Sequence, residues 1–227
     1  MAENNACGRH GQREGVLLLH GLMRTSLSMY PVARHLQKSG YVVANINYPS
    51  RTAPIEELAR KAISPALNRL REQRVSKIHA VTHSMGGILL RSYMEMEDIQ
   101  DFGRAVMLCP PNRGSELMDV FGRFFWFRKV FGPASLELST REWSFVNRLP
   151  SLDYPVGVLT GNRPATPLFS RYFSGENDGK VAVDRAYVRG VKAFLILPYG
   201  HSFIMFHRSV HNQVRHYLQN GCFFPVS

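Results

Sequence analysis

Residues 78–89 read Ile78-His79-Ala80-Val81-Thr82-His83-Ser84-Met85-Gly86-Gly87-Ile88-Leu89. The stretch 78–82 reads as a buried strand, and the residues from Met85 to about Met96 as a helix. A strand that turns sharply into a helix through His-Ser-Met-Gly-Gly puts Ser84 on the turn, its hydroxyl above the carboxyl edge of a sheet. The helix N-terminus beneath it favours developing negative charge. A side chain at position 86 would collide with neighbouring backbone, which calls for Gly86. The Met85 N–H, one residue past the serine, is placed to donate to an oxyanion. A serine at this position can also simply cap a helix, so the remainder of the chain has to decide between the two.

Outward from this turn, short apolar runs alternate with amphipathic segments. Strands are expected at 16–19, 41–47, 78–82, 104–108, 156–160 and 193–197. Helices are expected at 28–39, 54–74, from Met85 to about Met96, and at 203–218, with Pro65 predicted to kink or split the second. Continuous hydrophobic strands alternating with helices imply an α/β fold, a mostly parallel six-stranded sheet with helices on both faces. Residues 1–14 read as a polar tail and 15–227 as a single domain, while 114–150 break the rhythm and read as an insertion.

Composition narrows the function classes. The 227 residues are 44% hydrophobic and 20% charged, values of an ordinary folded chain. No apolar run reaches the roughly 18–20 residues of a membrane span, and the polar start lacks the pattern of a secretory leader. Three cysteines, Cys7, Cys109 and Cys222, make an odd count with no CxxC pair, so no disulfide framework is indicated and a cytoplasmic setting is expected. Lys and Arg total 28 against 17 Asp and Glu, a net charge of +11. That balance suits an anionic membrane surface or a negatively charged substrate. Nucleic acid is not expected, because no zinc-finger spacing, RNA-recognition signature or long basic run accompanies the charge.

The turn at Thr82-His83-Ser84-Met85-Gly86 resembles the G-x-S-x-G elbow of the α/β-hydrolase fold, particularly its lipase and esterase branch, with Thr82 in place of the first glycine. The substitution implies a wider turn or a compensating gap. Triads of this fold run nucleophile, acid, histidine along the chain. Asn177-Asp178-Gly179-Lys180-Val181-Ala182-Val183 resembles the acid loop, which implies Asp178; Gly200-His201-Ser202, after the last strand, resembles the histidine loop, which implies His201. Read alone, Asp178 suits a turn and His201 an ordinary loop; Asp153, Glu176 and Asp184 are alternative acids. His83 is expected to pack behind the turn. Leu19-His20-Gly21-Leu22-Met23 resembles the family's H-G loop, which implies a second oxyanion donor at the Leu22 N–H, or at Met23 if the turn is shifted. Too few residues precede the first strand for the full family sheet, so a trimmed version is expected. Pro110-Pro111-Asn112-Arg113-Gly114-Ser115 resembles the stretch that leads into a cap.

Within that insertion, Val120-Phe121-Gly122-Arg123-Phe124-Phe125-Trp126-Phe127-Arg128-Lys129-Val130-Phe131-Gly132 crowds aromatics among basic residues. Such a segment suits a cap over an apolar acyl pocket, a membrane-surface helix, or plain packing onto the body. Met23, Phe124 and Trp126 are the expected substrate contacts. The resemblance implies a serine hydrolase that cleaves carboxylic esters with an apolar acyl group through an acyl-enzyme, with a small-molecule or lipid ester as substrate. It implies neither metal nor organic cofactor. His207 and His211 stand four apart but lack the H-E-x-x-H pattern of a zinc site. Two other readings remain: an acyltransferase using the same acyl-enzyme, and a non-catalytic protein of this fold that binds a membrane or partner. The cytoplasmic expectation therefore includes peripheral membrane association.

Overall fold

The structure, a computed structural model, describes residues 13–165 and 167–225. Cys7, His10 and most of the tail drawn at 1–14 lie outside the described residues. Six apolar runs form strands: β1 (Gly15–Leu19), β2 (Val42–Ile46), β3 (Ile78–His83), β4 (Phe102–Leu108), β5 (Val156–Gly161) and β6 (Ala193–Leu197). They join one sheet in the order β2-β1-β3-β4-β5-β6, and every neighbouring pair is parallel. Such a sheet needs cover on both faces, which explains why β1, β3 and β5 are buried along their whole length.

Alternation within β1 assigns the two faces. Leu17 and Leu19 pack with the helices α2 (Ile55–Glu72) and α3 (Met85–Met96), while Val16 and Leu18 pack with α1 (Tyr30–Lys38) and, through Val210, Val214 and Tyr217, with the closing helix of the chain. Burying each such leucine is worth about 1.5–3 kcal/mol, so a one-residue slip of β1 would exchange two fully buried sets of side chains.

Three helix expectations are corrected. Pro65 does not split α2: the helix is continuous, and Pro65 lies on its exposed face, where water can serve the Lys61 carbonyl left without a donor. The expected helix at 28–39 begins as a 3-10 turn, Ser26–Met29, and becomes α1 at Tyr30. The expected helix at 203–218 divides into a 3-10 turn, Ile204–Phe206, and a helix at Arg208–Asn220, because His207 is extended.

The segment 114–150 holds four short helices, α4 (Glu116–Phe121), α5 (Phe125–Phe131), α6 (Pro133–Leu136) and α7 (Phe145–Arg148). A single turn, α8 (Val183–Ala186), precedes β6, and α9 (Arg208–Asn220) closes the chain. The ends of the segment are tied by Arg91 of α3, which is 3% exposed. Its guanidinium donates to the Asn112 carbonyl at 2.7 Å and to the Leu149 and Pro150 carbonyls at 3.3 and 3.2 Å. Burial among neutral acceptors pushes Arg91 down to about 10.

Candidate active site

Ser84 links β3 to α3 with φ +53° and ψ −125°, a backbone conformation that costs on the order of 1–3 kcal/mol for a residue with a side chain. Its N–H donates to the Leu108 carbonyl at 2.8 Å, and its carbonyl accepts the Gly87 N–H at 2.9 Å. Glycine is required at 86 and fits tightly at 21. A Cβ on Gly86 would stand 2.6 Å from the Leu19 carbonyl oxygen, and one on Gly21 would stand 3.0 Å from both His83 Nδ1 and Ser84 Cβ. The β1 loop and the β3 elbow therefore interlock, backbone against backbone at Gly86 and backbone against side chain at Gly21.

Thr82 is fully buried at the position where the resemblance expects glycine. The compensating gap is supplied one turn later: a Cβ on Gly87 would come within 3.2 Å of Thr82 Oγ1. The branched side chain thus occupies room left by the second glycine of Met85-Gly86-Gly87.

Above the carboxyl edge, His201 Nε2 lies 3.0 Å from Ser84 Oγ, and His201 Nδ1 lies 2.7 Å from Asp178 Oδ2. A carboxylate oxygen accepts, so Nδ1 carries the proton and Nε2 is left to accept from the serine. Asp178 is 1% exposed and His201 4% exposed, so water competes little for these bonds. The other carboxylate oxygen, Oδ1, accepts the Lys180 and Val181 N–H groups at 2.9 and 2.8 Å. Gly179 takes φ +96° at the turn, and Asn177 Oδ1 accepts its N–H at 3.1 Å. Asp178 therefore does both jobs, closing its own turn with one oxygen and holding the imidazole with the other. The His201 N–H also donates to the Asp178 carbonyl at 2.9 Å.

His83 lies behind the turn and donates through Nε2 to the His201 carbonyl at 2.9 Å. Burial holds it well below the ordinary histidine range, and the positive form of His201 would lower it further. His20 is fixed in the complementary tautomer: its Nδ1 donates to the Gly21 carbonyl at 2.9 Å, and its Nε2 accepts the Tyr48 N–H at 3.3 Å. Tyr48 stacks on the ring with centroids 4.1 Å apart. Burial lowers His20 as well. The ring braces the loop. The Met23 N–H is engaged by Ser50 Oγ at 3.1 Å, whereas among the described residues the Leu22 and Met85 N–H groups have no intramolecular acceptor.

A chamber of about 320 Å³ opens over Ser84 and His201, walled by Leu22, Met23, Leu117, Met118 and Leu138 and roofed by Phe121, Phe127, Phe131 and Phe169. Met23 lines the chamber. Phe124 and Trp126 do not: they are 44% and 54% exposed and line no part of the chamber. The helix breaks between Phe121 and Phe125, and within α5 it is Phe127 and Phe131, four apart, that turn inward.

Cys109 is buried at φ +48°, and its Sγ lies within 4.8 Å of the facing atoms of Asp178 and His201. Three such groups could in principle hold a metal. Here burial, with the Asp178 charge second, pushes the thiol well above its ordinary value. A neutral thiol is a poor ligand, and the histidine and aspartate are committed to each other. Cys109 reads instead as a weak donor behind the carboxylate. Of the alternative acids, Asp184 pairs with Arg113 at 3.2 Å, Glu176 accepts from Asn162 at 3.2 Å, and Asp153 sits just ahead of β5. His207 stacks on Tyr199, while His211 donates to the Met205 carbonyl, so the two diverge.

The sequence matches the profile of the Alpha/beta hydrolase family over residues 16–217. Among curated proteins none matches. Similar solved structures include the mature form of the Bacillus licheniformis lipase BlEst2, with TM-score 0.66 and 20% identity over 86% of this chain and 87% of that one. An esterase from Thermogutta terrifontis aligns with TM-score 0.61 and 15% identity over 93% of this chain and 91% of the other. Lipase B of Aspergillus fumigatus aligns with TM-score 0.67 and 14% identity, covering 92% of this chain and 53% of that one.

Proposed function

We propose, on the premise that this chain belongs to the alpha/beta hydrolase family, that it cleaves carboxylic esters of apolar acids with Ser84 as nucleophile, His201 as general base and acid, and Asp178 as the group that orients the imidazole. The observation that carries this reading is the unbroken hydrogen-bonded line from Asp178 through His201 to Ser84, running into an apolar chamber.

In this scheme the Ser84 hydroxyl proton passes to His201 Nε2 as Oγ bonds to the ester carbonyl carbon. The carbonyl π electrons move to oxygen, and the oxyanion is held by the Leu22 and Met85 N–H groups at the positive end of α3. Collapse expels the alcohol, which takes the proton from His201 Nε2. The acyl group stays on Ser84 until His201 removes a proton from water as its oxygen bonds to the acyl carbon; collapse of this second intermediate releases the acid and returns the proton from Nε2 to Ser84 Oγ. Asp178 remains a carboxylate throughout and stabilises the imidazolium. The phenylalanine roof supports assignment of the acyl chain to the chamber.

The exposed Phe124, Phe125 and Trp126 stand beside Arg123, Arg128 and Lys129. That mixture supports contact between the 114–150 cap and an anionic membrane surface, and no helix of the described residues is long and apolar enough to cross a membrane. Hydrolysis of p-nitrophenyl esters of increasing chain length, by wild type and by Ser84→Ala, tests the reading. The expected result is activity rising from acetate to a medium-chain acyl group and lost in the variant. Activity that survives in Ser84→Ala would overturn it.

A further inference from the structure

The apolar chamber has a polar neighbour. A cleft of about 460 Å³, lined among others by Thr25, Asn47, Ser50, Arg51 and Thr52, shares Met23 and Arg24 with the chamber. The scissile carbonyl at Ser84 would therefore sit with an apolar compartment on one side and a hydrogen-bonding one on the other. Arg24 stands at the junction, donating to the Ser202 carbonyl at 3.0 Å, and Arg51 stands in the cleft, donating to the Val130 carbonyl at 3.1 Å. Lys180 also lines the chamber.

None of these three cations is in an ion pair with a carboxylate of the described residues. Desolvation and the nearby Arg24 charge both push Lys180 down. Gathering like charges at one site is unfavourable in the empty protein and becomes favourable when an anion binds among them. Guanidinium groups present forked donors that match oxyanions. Two forked guanidiniums lining one cleft offer more donors than the two oxygens of a carboxylate can use, and suit the three or four oxygens of a phosphate better.

We propose that the cleft beside Ser84 binds a phosphate carried by the alcohol portion of the ester, held by Arg24 and Arg51, so that the substrate is an anionic amphiphile of the lysophospholipid kind. The proposal rests on the ester-hydrolase reading of Ser84, which it extends from the acyl chain to the leaving group. Chain length is read by the phenylalanine roof and headgroup charge by the two arginines. Lys180 adds long-range attraction from the chamber wall.

Calorimetric binding of decyl phosphate and of its neutral dimethyl ester to the full chain tests the cleft without any turnover. Decyl phosphate should bind at least tenfold tighter than the neutral ester, with the difference shrinking as salt is added. Arg24→Gln and Arg51→Gln should each reduce that ratio severalfold. Equal binding of the two ligands, or a ratio unmoved by both substitutions, overturns the proposal; decanoate binding as tightly as decyl phosphate overturns the choice of phosphate. A second measurement compares kcat/KM for 1-decanoylglycerol phosphate and 1-decanoylglycerol, where a preference of at least tenfold for the phosphate is expected. Tight decyl phosphate binding with neither ester cleaved would leave the cleft standing and remove the hydrolase reading. Equal cleavage of both esters together with equal binding would do the reverse.

Discussion

The carboxyl edge of the sheet and the 114–150 segment lie on opposite sides of the same chamber and are built on different principles. At the sheet edge, Ser84, His201 and Asp178 are held by short, directional bonds on buried backbone, and glycines at 21 and 86 admit close backbone approach. Across the chamber, α4 and α5, with Phe169 of the 3-10 turn Pro167–Tyr172, offer rings that pack edge-on and stacked, such as Phe121 on Phe169 at 5.7 Å and Phe127 on Phe131 at 4.2 Å. Hydrogen bonds fix atoms to tenths of an ångström, whereas apolar contacts are non-directional. The contrast teaches that, under the proposed function, bond-making geometry would belong to the sheet and substrate fit to the 114–150 segment.

The largest effect expected from breaking the sheet side is at His201. His201→Ala should lower kcat by at least about 10⁴-fold with the thermal midpoint nearly unchanged, as measured by ester turnover and calorimetric melting. Asp178→Asn separates the two jobs of that side chain. Its oxygen can still close the turn, while its amide faces the imidazole with a donor in place of an acceptor, so kcat should fall about 10³–10⁴-fold with a small loss of stability. Asp178→Ala should lose both.

Breaking the cap side should move different observables. Phe127→Ala and Phe121→Ala should raise KM for long-chain esters by about tenfold, the scale of a kcal/mol or two of lost apolar contact, with a smaller effect on acetate. Phe125→Ala and Trp126→Ala should leave turnover of a soluble ester intact and weaken sedimentation with anionic vesicles. Arg91→Leu strips the bonds that tie the two ends of the cap and leaves buried carbonyls without donors. A loss of about 2–4 kcal/mol in denaturant melts is expected.

The smallest effect is set by acid. His20 and His83 are held neutral by burial, with folded-state values below the unfolded one. On lowering the pH below about 6.5 the unfolded chain takes up protons that the native protein refuses. Stability should therefore be full above that point and decline as pH falls, by up to about 1.4 kcal/mol per pH unit for each such group. Urea melts at stepped pH values measure the slope, and His83→Gln, which keeps a donor for the His201 carbonyl, should make it shallower.

Much of this was readable from residue order. The strand-to-helix turn at Ser84 and the six apolar runs depend on local pattern, and local pattern survives folding. The same holds for Asn-Asp-Gly at 177–179, whose turn chemistry is intrinsic. What escaped was set by which groups face one another once the chain is folded. That Thr82 fits depends on Gly87 facing it across the turn. That Arg91 is a buried tie depends on carbonyls 21 and 58 residues away. Phe124 and Trp126 were expected as substrate contacts; the break at Gly122-Arg123-Phe124 separates α4 from α5, and no periodicity across it predicts which ring then faces the chamber. Pro65 was expected to kink or split α2 from its missing N–H, and the solvent on that face, which lets the helix run on unsplit, is set by packing.

The most direct test of the central claim is intact and peptide mass spectrometry after treatment with a fluorophosphonate, which forms a covalent adduct only with an activated serine. The account predicts one adduct per chain, located on Ser84, and a large drop in labelling rate in His201→Ala. Absence of an adduct in the wild-type protein, or labelling that persists undiminished in Ser84→Ala, would contradict it.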